Sequence, residues 1–275
     1  MPEVIKRNKL FIAFAVLSLL TVILQWYFVS DRLSIETYPF VHQDFWRRII
    51  DSLYYLGRSQ SVYIHPPLPS FLYTFSILFG DWILFVLNTV HFLLAALFTY
   101  LLAKKLSKNS LVAFIAGLLF VLNSEIIQQF SYYGLVDGWS MAWILMSIYF
   151  FVCWTENKRT RSILIAGIIT ALSGLVQYSG FFVVPLFLLW IFFEKVSLRE
   201  KFKRAMILLA PIVIIFGAWQ LYLFFTFGHF MYSKVDHFIY FIPNMRNVVQ
   251  YMFDTLFLIG VPIVFFAITG ITFIK

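Results

Sequence analysis

The sequence predicts an all-α, polytopic membrane helix bundle of about eight transmembrane helices, with juxtamembrane amphipathic helices in its first outer loop. Three observations predict it. Hydrophobic residues fill 61% of the 275 positions and charged residues only 12%, against about 25% charged in a soluble domain. The apolar residues fall in runs of roughly 17 to 25, the length a helix needs to cross the hydrocarbon core. Basic residues gather in alternate connections between those runs, as the positive-inside rule requires.

The first run, 10–29, follows Lys6, Arg7 and Lys9. That is the layout of a signal peptide, but its length and the lack of a small-residue cleavage site predict a retained anchor. Residues 30–81 form a long outer loop. Within it, Asp44, Arg47, Arg48, Asp51 and Arg58 recur at spacings of three, four and seven, with Phe45, Ile49, Leu53 and Leu56 on another face. Residues 44–57 therefore read as an amphipathic helix lying flat in the interface. The prolines at 66, 67 and 69 stiffen the approach to 70–80. That run is too short to span and reads as a second juxtamembrane helix.

Seven further spans follow, at 82–103, 111–130, 137–154, 162–178, 180–194, 205–227 and 255–274, of which 180–194, the sixth of the eight, is short. Between the last two lies a second long outer loop, 228–254. Both long loops are rich in aromatics, the expected belt at a membrane boundary. No repeat or low-complexity segment interrupts the chain, so a single membrane domain, 1–275, is expected.

The net charge of +8 invites a nucleic-acid reading, which its distribution rejects. With the N-terminus inside, fifteen of the twenty-one basic residues fall in inner segments. This predicts an integral multi-pass protein with both termini cytoplasmic and an even number of crossings. Nine of the thirteen acids fall at or near the outer face, so the active face is expected to be extracytoplasmic. The lone Cys153 excludes an intrachain disulfide and reads as a packing residue.

Asp44 is the foremost candidate for chemistry. A structural N-cap or an ion pair one turn along the helix would explain it. A carboxylate there is also suited to act as general base on a hydroxyl. Arg47, Arg48 and Arg58 suit phosphate oxygens. Asp137 opens the fourth span, where an N-cap favoured by the helix dipole is the plain alternative to a site role. Glu125 lies near the outer end of the third span, deep enough to count as a functional candidate, with snorkelling to the boundary as its rival. His65 reads as a hydrogen-bonding residue, or with Asp44 or Asp137 as a ligand for a divalent cation or a phosphate. His91 and Asn88 share one face of the second span as an interhelical hydrogen-bonding pair. No P-loop, dinucleotide fingerprint, zinc spacing or serine-nucleophile motif is present. The residues are compatible with a divalent cation as cofactor and require none.

Gln43-Asp44-Phe45-Trp46, a helix ending in Tyr55-Leu56-Gly57, and His65-Pro66-Pro67-Leu68 resemble the first outer loop of the glycosyltransferase C superfamily. The likeness is to its protein O-mannosyltransferase and aminoarabinose-transferase-like branch. Ser131-Tyr132-Tyr133-Gly134-Leu135-Val136-Asp137 resembles the family's second-loop aspartate segment. Gly174-Leu175-Val176-Gln177-Tyr178-Ser179-Gly180 resembles a stretch where a lysine or arginine often stands. Gln43 replaces the first acid of the family's pair, and Gln177 the basic residue. The likeness covers the N-terminal half or more of a typical member, so a short or truncated member is expected.

The resemblance implies transfer of a sugar from a polyprenyl-phosphate donor to an acceptor on the extracytoplasmic face. Asp44 would be catalytic, with Arg47, Arg48, Arg58, His65, Asp137 and Glu125 binding substrate. The partners are that donor, membrane lipids and a glycan, lipid or protein acceptor, with no nucleic acid. The runner-up is a non-catalytic scaffold or lipid-handling subunit on the same fold. A transporter or channel, the third reading, is disfavoured by the few charges within the spans.

Overall fold

The computed structural model describes residues 8–30, 67–80, 82–123, 126, 127, 130 and 136–227. They form eight α-helices: α1 (Lys9–Ser30), α2 (Pro67–Phe79), α3 (Trp82–Ser107), α4 (Ser110–Val121), α5 (Asp137–Asn157), α6 (Thr160–Val176), α7 (Val183–Phe193) and α8 (Leu198–Phe227). A short 3-10 helix, Tyr178–Phe182, joins α6 to α7. Among the described residues α3, α5 and α8 are long and apolar enough to cross a membrane unaided. The all-helical membrane bundle expected from composition is the observed fold.

Most boundaries follow from local chemistry. The juxtamembrane run expected at 70–80 begins three residues earlier, at Pro67. Proline is tolerated in a first turn, where its missing N–H has no intrahelical partner to lose. That helix ends at Gly80, whose φ of +93° only glycine adopts readily. There the Trp82 indole donates to the Phe79 carbonyl at 2.6 Å. Asn109 caps α4 by accepting from the Leu111 and Val112 amides at 2.8 and 3.4 Å. The third span, expected over 111–130, ends as α4 at Val121. Asn123 accounts for the break, because its Oδ1 accepts from the Ile126 amide at 3.2 Å. This side chain competes with the ladder and starts a fresh turn. The sixth apolar run is likewise divided, into the 3-10 helix and α7. The amphipathic helix expected at 44–57 and the span at 255–274 lie outside the described residues.

The chain divides into two compact units, Met1–Ala218 and Trp219–Lys275. In the second, the Trp219 and Tyr222 rings stack with centroids 5.5 Å apart.

In the first unit α3 and α5 run parallel at a constant register. Asn88 meets Trp139, Phe98 meets Tyr149 and Lys105 meets Glu156, so each partner stands 51 positions further along. The short, reversed α4 between them makes that parallel arrangement attainable. Helix α6 returns antiparallel along α5, bridged by the buried hydroxyls of Ser147 and Thr170 at 2.6 Å. Two apolar cores result. One centres on Phe92, Tyr100, Ala113 and Trp139, the other on Phe151, Trp154, Ile163 and Leu208.

Small residues set the close approaches. A side chain at Gly117 would meet the Phe14 ring of α1, and one at Gly167 would meet the Leu208 carbonyl and Pro211 ring of α8. Helix association without a hydrophobic driving force depends on such backbone proximity.

Candidate functional site

The described site residues lie where α5 begins and α6 ends. Two glycines bring those ends together. Gly174 leaves room for the Phe181 ring, and Gly180 sits directly on Ser173. The chain can therefore fold back into the 3-10 helix within one turn of the α6 terminus. Gln177, at that corner, is fixed at both backbone groups. Its amide donates to Ser173 O at 2.9 Å and its carbonyl accepts from Gly180 N at 2.8 Å.

From this anchored position Gln177 reaches across to α5. Its Nε2 donates to Asp137 Oδ1 at 2.6 Å. A side-chain N-cap, the plain alternative to a site role for Asp137, is not what the structure shows. The cap is Val136, in the αR region with no side-chain cap bond, and Asp137 occupies the first turn. Its carboxylate stands beside the positive end of the helix dipole and accepts from Gln177, with no cationic partner among the described residues.

A polar aromatic layer follows in the next turn. Trp139 donates its indole N–H to Asn88 Oδ1 at 2.6 Å. Its ring lies flat on His91, with centroids 4.5 Å apart and an interplanar angle of 5°, and tilts against Tyr73 of α2 at 5.6 Å. The expected pairing of Asn88 and His91 is thereby divided. Asn88 makes the interhelical hydrogen bond, whereas His91 Nδ1 bonds the Leu87 carbonyl of its own helix at 2.7 Å and contributes stacking. Three buried side-chain atoms here make no hydrogen bond: Gln177 Oε1, Ser140 Oγ and Trp143 Nε1. Buried polar groups are normally satisfied, so these atoms give the site two acceptor and two donor functions.

Sequence reading found Asp137, Gln177, Asn88 and His91 but missed Trp139, Ser140 and Ser173. The missed signal is the spacing of small polar residues along the spans. Ser140 and Ser147 recur at seven residues, and Ala166, Thr170 and Gly174 at four, a sign of a close helix interface. Asp44, Arg47, Arg48, Arg58, His65 and Glu125 lie outside the described residues. Among the described residues no three His, Cys, Asp or Glu side chains cluster as a metal site. Asp137 alone does not make one.

A helical membrane bundle with an anionic, tryptophan-lined end defines the class as an integral membrane protein with a polar site at one end. The chain belongs to the dolichyl-phosphate-mannose-protein mannosyltransferase family, whose model matches residues 64–222, and is thus a membrane glycosyltransferase of the C type. The match includes His65-Pro66-Pro67-Leu68, Asp137 and Gln177, and begins after Asp44, Arg47, Arg48 and Arg58. No curated protein and no solved structure matches the chain.

Proposed function

We propose that the protein transfers a sugar from a polyprenyl-phosphate donor to an acceptor at the extracytoplasmic face. The family match across 64–222 carries this reading, because the matched segment contains the Asp137–Gln177 pair. The spans hold the prenyl tail. The acceptor hydroxyl attacks the anomeric carbon as the bond from that carbon to the phosphate oxygen breaks, inverting the configuration. Asp44 takes the hydroxyl proton, and the carrier phosphate departs as an anion steadied by Arg47, Arg48 or Arg58. His65, Glu125 and Asp137 line the pocket, with Asp137 oriented by Gln177.

The test uses purified full-length protein, a radiolabelled polyprenyl-phosphate sugar and a membrane extract as the source of acceptors. Wild type moves label off the carrier, and Asp44→Asn lowers the rate by about a hundredfold or more, as expected for a lost general base. Equal rates for the two remove Asp44 from the mechanism. The rival reading, a non-catalytic scaffold, draws on Gln177 standing where a basic residue is common in the resembling enzymes. Label that never leaves the carrier establishes that rival.

A further inference from the structure

We propose that the end of α7 and the first two turns of α8 form a binding stripe for anionic phospholipid headgroups. The charges of this hairpin are sorted by direction. Glu194 is gripped by Lys158 and Arg204, and Arg204 also donates to Glu200 at 3.0 Å. Lys201 is tied to the Phe192 carbonyl at 2.5 Å. Both acids are therefore engaged, Glu194 with Lys158 at the end of α5 and both with Arg204. Lys195, Arg199 and Lys203 are exposed and have no acidic partner among the described residues.

Their neighbours show what surrounds them. Phe193, Leu198, Phe202 and Met206 are 83%, 68%, 61% and 56% exposed. The last three recur every four residues, so they form one apolar stripe along α8. In a membrane protein such a stripe faces acyl chains. Arg199 and Lys203, each one position further along, form a second stripe beside it, a single turn apart. Side chains at that boundary lay their stems on hydrocarbon and lift their charges to the phosphate level. The Arg199 guanidinium fork matches phosphate oxygens, and Lys203 and Lys195 supply further positive charge. Lys104, Lys108 and Arg159 are equally exposed but stand at the ends and turns of the α3–α4 and α5–α6 connections, which gives a control of equal charge.

The experiment compares the full chain in nanodiscs of phosphatidylcholine with and without phosphatidylglycerol, counting retained lipids by native mass spectrometry after extraction. Wild type retains phosphatidylglycerol in preference to phosphatidylcholine. Each basic residue near an anionic surface is worth about a fivefold change in affinity, so K195Q/R199Q/K203Q lowers the preference by an order of magnitude or more. K104Q/K108Q/R159Q, whose charges are not aligned along one helix face, lowers it severalfold less. Equal losses in the two triples reduce the effect to net charge and overturn the stripe, as does a wild type without preference. Should the first triple fail to fold, R199Q alone is read the same way: an unchanged preference overturns the proposal and a severalfold loss supports it.

Discussion

Gln177 Nε2 donates to Asp137 Oδ1 across 2.6 Å, joining residues 40 positions apart at the corner where α6 meets the 3-10 helix. The bond rests on a backbone already fixed by Ser173 and Gly180, so the carboxylate is held by a rigid element. Preorganisation of this kind is what a binding site requires of its supporting residues.

The pair makes a discriminating prediction. Gln177→Leu removes the orienting donor while sparing the carboxylate, and the bond is exposed, so stability falls by only about 1 kcal/mol. The rate of sugar transfer falls about tenfold, and Gln177→Glu, which sets a second anion against the first, falls further. Asp137→Asn retains a hydrogen bond but loses the charge. A drop in its transfer with an unchanged melting temperature assigns Asp137 to the site, and full activity makes it structural.

The second prediction concerns the layer beneath. Asn88→Leu leaves the Trp139 indole N–H buried without its acceptor, a loss of about 1–3 kcal/mol. Trp139→Phe added to Asn88→Leu removes the stranded donor as well. The double variant is therefore destabilised by less than the sum of the singles, and a double-mutant cycle on melting temperature measures the coupling.

The span pattern was legible because its signal is compositional: long apolar runs separated by basic turns leave few alternatives. The interruptions were not. Asn123, Ser124 and Glu125 are polar within the run expected over 111–130, but only the hydrogen bond of Asn123 to the Ile126 amide shows that a fresh turn starts there. Asp137 and Gln177 could each be marked from family likeness, yet their bond depends on Gly174 and Gly180 admitting Phe181 and Ser173, a tertiary fit that no local spacing encodes. The constant offset between α3 and α5 was hidden for the same reason. It is a property of two helices together, and neither helix alone carries it.

A third prediction tests helix proximity. At Gly167 an added methyl would run into the Leu208 backbone carbonyl and the Pro211 ring, neither of which can swing aside. Gly167→Ala therefore forces α6 and α8 apart and costs about 1–3 kcal/mol, the range for overpacking. Gly217 has no neighbour that a methyl would reach. Gly217→Ala is neutral or stabilising by up to about 1 kcal/mol, the helix-propensity gain. Thermal melting of the two variants in one detergent separates crowding from a general intolerance of substitution.

At the opposite end of α5, Glu194 gathers Lys158 and Arg204, and both cations also lie over the Trp154 ring, at 4.7 and 5.5 Å from its centroid. Glu194 and Arg204 are largely buried, so removing the acid leaves the Arg204 guanidinium with only Glu200 as an acidic partner among the described residues, where water screens it poorly, whereas Lys158 is free to turn into solvent. Glu194→Gln is expected to cost about 2–3 kcal/mol and Lys158→Gln less than about 1 kcal/mol. Adding Arg204→Met to Glu194→Gln restores part of the loss, because the buried guanidinium leaves and the Glu200 carboxylate it also held is exposed enough to be solvated. A double variant less stable than Glu194→Gln alone would mean that Arg204 is retained for its packing on Trp154, and that the ion pair is secondary to that stack.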